Sequence, residues 1–99
     1  MFKLNKKYII QTLNEVKSWK VGESNSFYYN GWKLTLKKEE DKYKPNNYIV
    51  KGYHENGSRI SRRYNTVDRA FLHILNSFNE NASIKNKYAS LNDALNLLS

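Results

Sequence analysis

The sequence predicts a single small α+β domain over residues 1–99. The expected order is an N-terminal helix, a three-stranded antiparallel sheet, a long amphipathic helix and a short C-terminal helix. Three observations carry this. Apolar residues recur with helical spacing near both ends of the chain and at alternate positions in between, and two hairpin signals, Asn30-Gly31 and Glu55-Asn56-Gly57, punctuate the alternating part.

Taken in order, Ile9, Leu13, Val16 and Trp19 step by four and three through a polar background, which predicts one helix from Asn5 to about Trp19. Gly22 and the polar run Glu23 to Ser26 then break it. In "SFYYNGWKLTLKK" the period falls to two, so Trp32, Leu34 and Leu36 face the core while Lys33, Thr35 and Lys37 face out. Asn30-Gly31 lets Phe27 to Tyr29 pair back as a fourth short strand. The segment Glu39 to Pro45 is expected to be a solvated loop, because its acids are consecutive and surrounded by lysines.

"NYIVKGYH" and "SRISRRY" form the second hairpin, and its register decides which side chains share a face. A two-residue Asn56-Gly57 loop would mix charge into both faces. A three-residue loop with Gly57 in the left-handed position separates them, and is preferred. Tyr48, Val50, Gly52, Ile60 and Tyr64 then lie inwards, with Arg62 at their margin, while Ile49, Lys51, Tyr53, Arg59, Ser61 and Arg63 lie outwards. Thr66 caps the next helix, in which Val67, Ala70, Phe71, Ile74, Leu75 and Phe78 form one stripe and which is expected to end near Asn79 to Asn81. Ser90, with Asp93 three residues on, opens the last helix.

Composition bounds the function. Lys and Arg number 17 against nine acids, a formal charge of +8, so the summed field attracts polyanions or acidic protein surfaces. There is no cysteine, which excludes disulfides, thiol nucleophiles and thiolate metal sites. The start of the chain has no continuous apolar leader and no long apolar run follows, so a cytoplasmic protein of a bacterial cell, without membrane partners, is expected. Abundant Asn, Lys, Ile and Tyr with scarce Ala, Gly and Pro fit AT-rich bacteria, their phages or mobile elements.

No enzymatic constellation emerges. His54 sits near a hairpin tip and His73 on the polar side of the second helix, neither with a nucleophile or carboxylate at diagnostic spacing, and no phosphate loop or nucleophile elbow occurs. A non-enzymatic binding protein without cofactor or metal is therefore expected. Its candidate partner-binding residues are Lys51, Tyr53, Arg59, Arg62 and Arg63. The cations suit phosphates, Tyr53 offers a stacking surface, with Tyr48 or Tyr43 beside it, and the arginines can fork onto guanine edges.

The order helix, three strands, helix resembles the double-stranded-RNA-binding domain, and "YIVKGYHENGSRISRRYNTVDRAF" is similar in outline to the three-stranded DNA-binding domains of phage integrases. Val67, Asp68 and Arg69 stand where the RNA-binding family carries a basic helix start, which argues against RNA duplexes. Over most of the chain, in "SFYYNGWKLTLKK", "YIVKGYHENGSRI" and "TVDRAFLHILNSF", the pattern resembles small phage-encoded anti-CRISPR proteins. That resemblance implies an inhibitor of a Cas nuclease or of another nucleic-acid-handling bacterial machine. Direct binding of DNA or RNA through the basic hairpin is the alternative.

Overall fold

The computed structural model describes residues 2–40, 42, 47–78 and 88–98. Strand β1 (Phe2–Lys3) leads into helix α1 (Lys6–Glu15), which a 3-10 turn over Val16–Ser18 extends. Strands β2 (Ser24–Tyr29), β3 (Trp32–Lys38), β4 (Tyr48–His54) and β5 (Arg59–Tyr64) follow, then helices α2 (Val67–Ser77) and α3 (Leu91–Leu97). The five strands form one sheet in the order β1-β2-β3-β4-β5, with β1 parallel to β2 and every other pair antiparallel.

This corrects the helix-first, three-stranded arrangement that the sequence predicts: the chain opens with a strand, and the sheet is five-stranded and mixed. Two physical causes account for the difference. A two-residue strand has no period to read, and β1 exists because its neighbour accepts it. Phe2 pairs with Phe27, the Leu4 N–H donates to the Tyr28 carbonyl at 2.8 Å, and Leu4 is buried. The α1 crossover on one face of the sheet makes that pairing parallel. Second, the polar residues Ser24, Asn25 and Ser26 do not end the sheet; they lengthen β2 against Thr35, Leu36 and Lys37. Backbone ladders tolerate polar side chains wherever the face they occupy stays wet, and Ser26 and Thr35 hydroxyls join at 2.8 Å.

Local chemistry holds elsewhere. Asn5, Thr66 and Ser90 cap α1, α2 and α3 by accepting from the N–H of Tyr8, Arg69 and Asp93. Asn30 and Gly31 both adopt positive φ, 47° and 80°, as a tight two-residue hairpin turn requires. At the second hairpin the His54 N–H donates to the Ser58 carbonyl and Gly57 has φ 94°, which is the three-residue loop and the register that keeps the faces separate. Helix α2 stops at Ser77, short of the expected end; residues 79–81 lie outside the described residues. Phe78 is the C-cap: its N–H still donates to the Ile74 carbonyl, its ring packs 4.8 Å from Trp32, and its own carbonyl accepts from Asn30 Nδ2 at 2.7 Å.

All three helices pack on one face of the sheet. Phe27, Leu34, Leu36 and Val50 meet Ile9 of α1, Ala70, Phe71, Ile74 and Leu75 of α2, and Leu91 and Ala94 of α3 in one buried cluster. The Phe27 and Phe71 rings lie 5.9 Å apart at its centre. Among the described residues, the opposite face carries no helix.

Candidate nucleic-acid interface

Pleat alternation and the observed registers fix what the helix-free face displays. Its residues are Lys3 of β1, Ser24, Ser26 and Tyr28 of β2, and Lys33, Thr35 and Lys37 of β3. Ile49, Lys51 and Tyr53 of β4 and Arg59, Ser61 and Arg63 of β5 complete it. Six of these positions are cationic and none is acidic. One row crosses all five strands as a chain of direct partners, Lys3↔Tyr28, Tyr28↔Lys33, Lys33↔Tyr53 and Tyr53↔Arg59, so cation and tyrosine alternate from edge to edge. Tyr28 and Tyr53 are 47% and 52% exposed, so each side chain is partly open to solvent. Lys33 Nζ lies 5.9 Å from the Tyr53 ring centroid, at the outer reach of a cation–π contact.

The residues expected to bind a partner are divided by the structure. Lys51, Tyr53 and Arg59 lie on this face and are exposed. Arg63 lies on it too, but at its far end, where a guanidinium nitrogen approaches the Glu39 carboxylate at 3.9 Å. There it flanks Ile49, which is only 4% exposed although it points away from the main core. Arg63 is thus engaged with Glu39 at the end of the face. Arg62 pairs with Val50 on the helix-bearing side and is separated from the other two arginines by the sheet. Of the tyrosines considered beside Tyr53, Tyr48 points to the core side and Tyr43 lies outside the described residues.

Tyr28, Lys33, Lys37 and Lys3 join the surface although no local motif marks them for binding. The outward placement of Lys33 and Lys37 is legible in the alternation around Leu34. Nothing local signals that β3 sits beside β4 with Lys33 against Tyr53, since that pairing spans the Glu39–Asn47 connection.

The histidines do structural work. The His54 ring meets Trp32 edge-on at 5.2 Å and its Nδ1 accepts from the Asn56 N–H. His73 Nδ1 is hydrogen-bonded to the Tyr64 hydroxyl, and its ring packs on Tyr64 and Phe78. Burial pushes the Tyr64 phenol up to about 12, against a smaller opposing pull from the Arg62 charge. Among the described residues, no cluster of three or more His, Cys, Asp or Glu side chains could hold a metal ion, and no helix is long and apolar enough to cross a membrane. No protein-family model matches the chain, and neither a curated protein nor a solved structure shows significant similarity to it. The reading of this surface therefore rests on its own geometry.

Proposed function

We propose that this protein is a non-enzymatic polynucleotide-binding module of the bacterial cytoplasm, and that the helix-free sheet face is its working surface. The observation that carries the reading is the composition of that face: six cations, two exposed tyrosines and no carboxylate on thirteen outward positions. The Glu39 carboxylate meets Arg63 only at the far end of the face, and the row from Lys3 to Arg59 carries no acid. Cations on a sheet neutralise phosphates, and the released counterions make such binding strongly salt-dependent.

Fluorescence anisotropy with labelled oligonucleotides, single-stranded and duplex, over a range of salt concentrations tests this. Lys33→Ala with Arg59→Ala is expected to weaken binding and to flatten the log–log salt dependence by about 0.7–0.9 for each phosphate no longer neutralised. Lys7→Ala with Lys17→Ala removes the same charge from the α1 side and is expected to change little. Equal weakening by both pairs would reduce the effect to net charge and defeat the proposal.

A second reading, an inhibitor docking on a Cas nuclease or a related complex, draws on Phe2 and Ile10, two large apolar side chains left exposed beside and on α1. Cleavage by several Cas ribonucleoproteins at excess protein checks it, and unchanged cleavage throughout would sink it.

A further inference from the structure

We infer that the helix-free face binds single-stranded RNA, with one base stacked on Tyr28, a second on Tyr53, and the backbone phosphates held by Lys3, Lys33 and Arg59. The inference rests on the polynucleotide reading above and specifies its ligand.

Dimensions favour a single strand over a duplex. Strands about 4.8 Å apart make the five-residue row roughly 19 Å wide, broader than the ~12 Å major groove that admits a helix or a two-stranded ribbon. A five-stranded face of that width cannot enter a duplex groove, and paired, stacked bases offer no face to a tyrosine ring. An unpaired strand does offer one, and base–aromatic stacking tolerates any sequence because every base has a π-face. Tyr28 and Tyr53 lie two strands apart, roughly 9.6 Å, beyond the 4.5–7 Å centroid range of rings in direct contact. The two rings therefore serve two bases, with Lys33 between them and Lys3 and Arg59 outside. Each ring thus has a cation one strand spacing away on either side, about 4.8 Å, available to the phosphate of the nucleotide whose base it stacks.

The neighbouring row favours RNA over DNA. Two residues along each strand stand Ser26, Thr35, Lys51 and Ser61, all outward. Hydroxyls both donate and accept, which is what a ribose 2′-hydroxyl requires, and that group is the feature by which proteins separate RNA from DNA. The Ser26–Thr35 pair uses one proton between two oxygens, leaving the second proton and lone pairs for a ligand.

The test uses the full chain with a labelled single-stranded RNA of mixed sequence, the matching DNA strand and the matching RNA duplex. Binding is expected to be tightest for the RNA strand. Tyr28→Ala and Tyr53→Ala are each expected to weaken it roughly 5- to 150-fold, while Tyr28→Phe and Tyr53→Phe, which keep the stacking face, stay within about 3-fold. Photocrosslinking of 4-thiouridine RNA to the unaltered protein, mapped by mass spectrometry, should mark the peptides containing Tyr28 and Tyr53, and reads the contact without any substitution. Equal or tighter duplex binding, crosslinks confined to α1 or α2, or alanine variants that bind as well as the parent would each overturn the inference while leaving polynucleotide binding standing. DNA binding equal to that of RNA would overturn the assignment to RNA. Failure of every oligonucleotide to bind would overturn the underlying reading and this inference with it.

Discussion

Replacing Gly52 by alanine sets two effects of opposite sign against each other, and the structure decides between them. Alanine in a strand interior is ordinarily better than glycine by about 0.5–1 kcal/mol, because glycine loses more backbone entropy on folding. Gly52, however, sits on the core face of β4, between Leu34 of β3 and Ile60 of β5. A Cβ there would stand 2.5 Å from Leu34 Cδ2 and 2.6 Å from the Lys33 carbonyl oxygen. Leu34 is fully buried and has no room to swing away, and the carbonyl belongs to the backbone of the β3–β4 pair. Overpacking of this kind costs about 1–3 kcal/mol. The expected result for Gly52→Ala is a net destabilisation of about 1–2 kcal/mol once the entropic gain is set against it. Urea denaturation followed by circular dichroism reads this as a lower midpoint at unchanged slope, and in a domain of this size each kcal/mol lowers Tm by about 4–8 °C. Gly57→Ala is the control, since nothing lies within 4 Å of its Cβ position and only the positive φ of 94° opposes a side chain. Asparagine tolerates that conformation better than alanine, so Gly57→Asn should recover part of the stability that Gly57→Ala forfeits, whereas Gly52→Asn should be worse than Gly52→Ala. A Gly52→Ala protein as stable as the parent, or more so, would refute the close β3–β4 approach and the register that aligns Lys33 with Tyr53.

Two further outcomes follow from the packing and the electrostatics. Phe71 is fully buried against Phe27, so Phe71→Ala should cost about 3–5 kcal/mol in the same denaturation experiment, and a change below about 1 kcal/mol would show that α2 presents another side to the sheet. Tyr64 is held neutral by burial, with its phenol raised from 10.0 to about 12, so the folded state retains a proton that the unfolded state gives up. Its contribution is complete below pH 10 and is lost as pH rises towards about 12. Stability measured across that window should fall less steeply in Tyr64→Phe, and an unchanged slope would contradict the burial of the hydroxyl.

What the sequence determined by itself is whatever a few neighbouring residues settle. Thr66 and Ser90 fixed helix starts through their own side-chain oxygens, the spacing from Val67 to Leu75 fixed the buried stripe of α2, and Asn30-Gly31 fixed the first hairpin turn by its need for positive φ, whereas Gly57 suits a two- or a three-residue loop and left the second register to be decided by which side chains are buried. The division of the arginines, with Arg59 outward and Arg62 inward, is the one expected from the register that buries apolar residues together, and the observed pairing of Tyr53 with Arg59 and Val50 with Arg62 is that register. Tertiary structure decided the rest. Strand β1 has no stability of its own and forms only where β2 offers free backbone groups, and Ser24 to Ser26 became strand because β3 was there to pair with them. The candidate interface depends on the same kind of choice. Tyr28 and Lys33 meet through one hairpin and Tyr53 and Arg59 through another, but a row of alternating cations and rings exists only once β3 and β4 align across a long connection. That alignment is set by burial of Leu34 and Leu36 opposite Gly52 and Val50, an energy shared by side chains distant in sequence and therefore invisible to any local pattern.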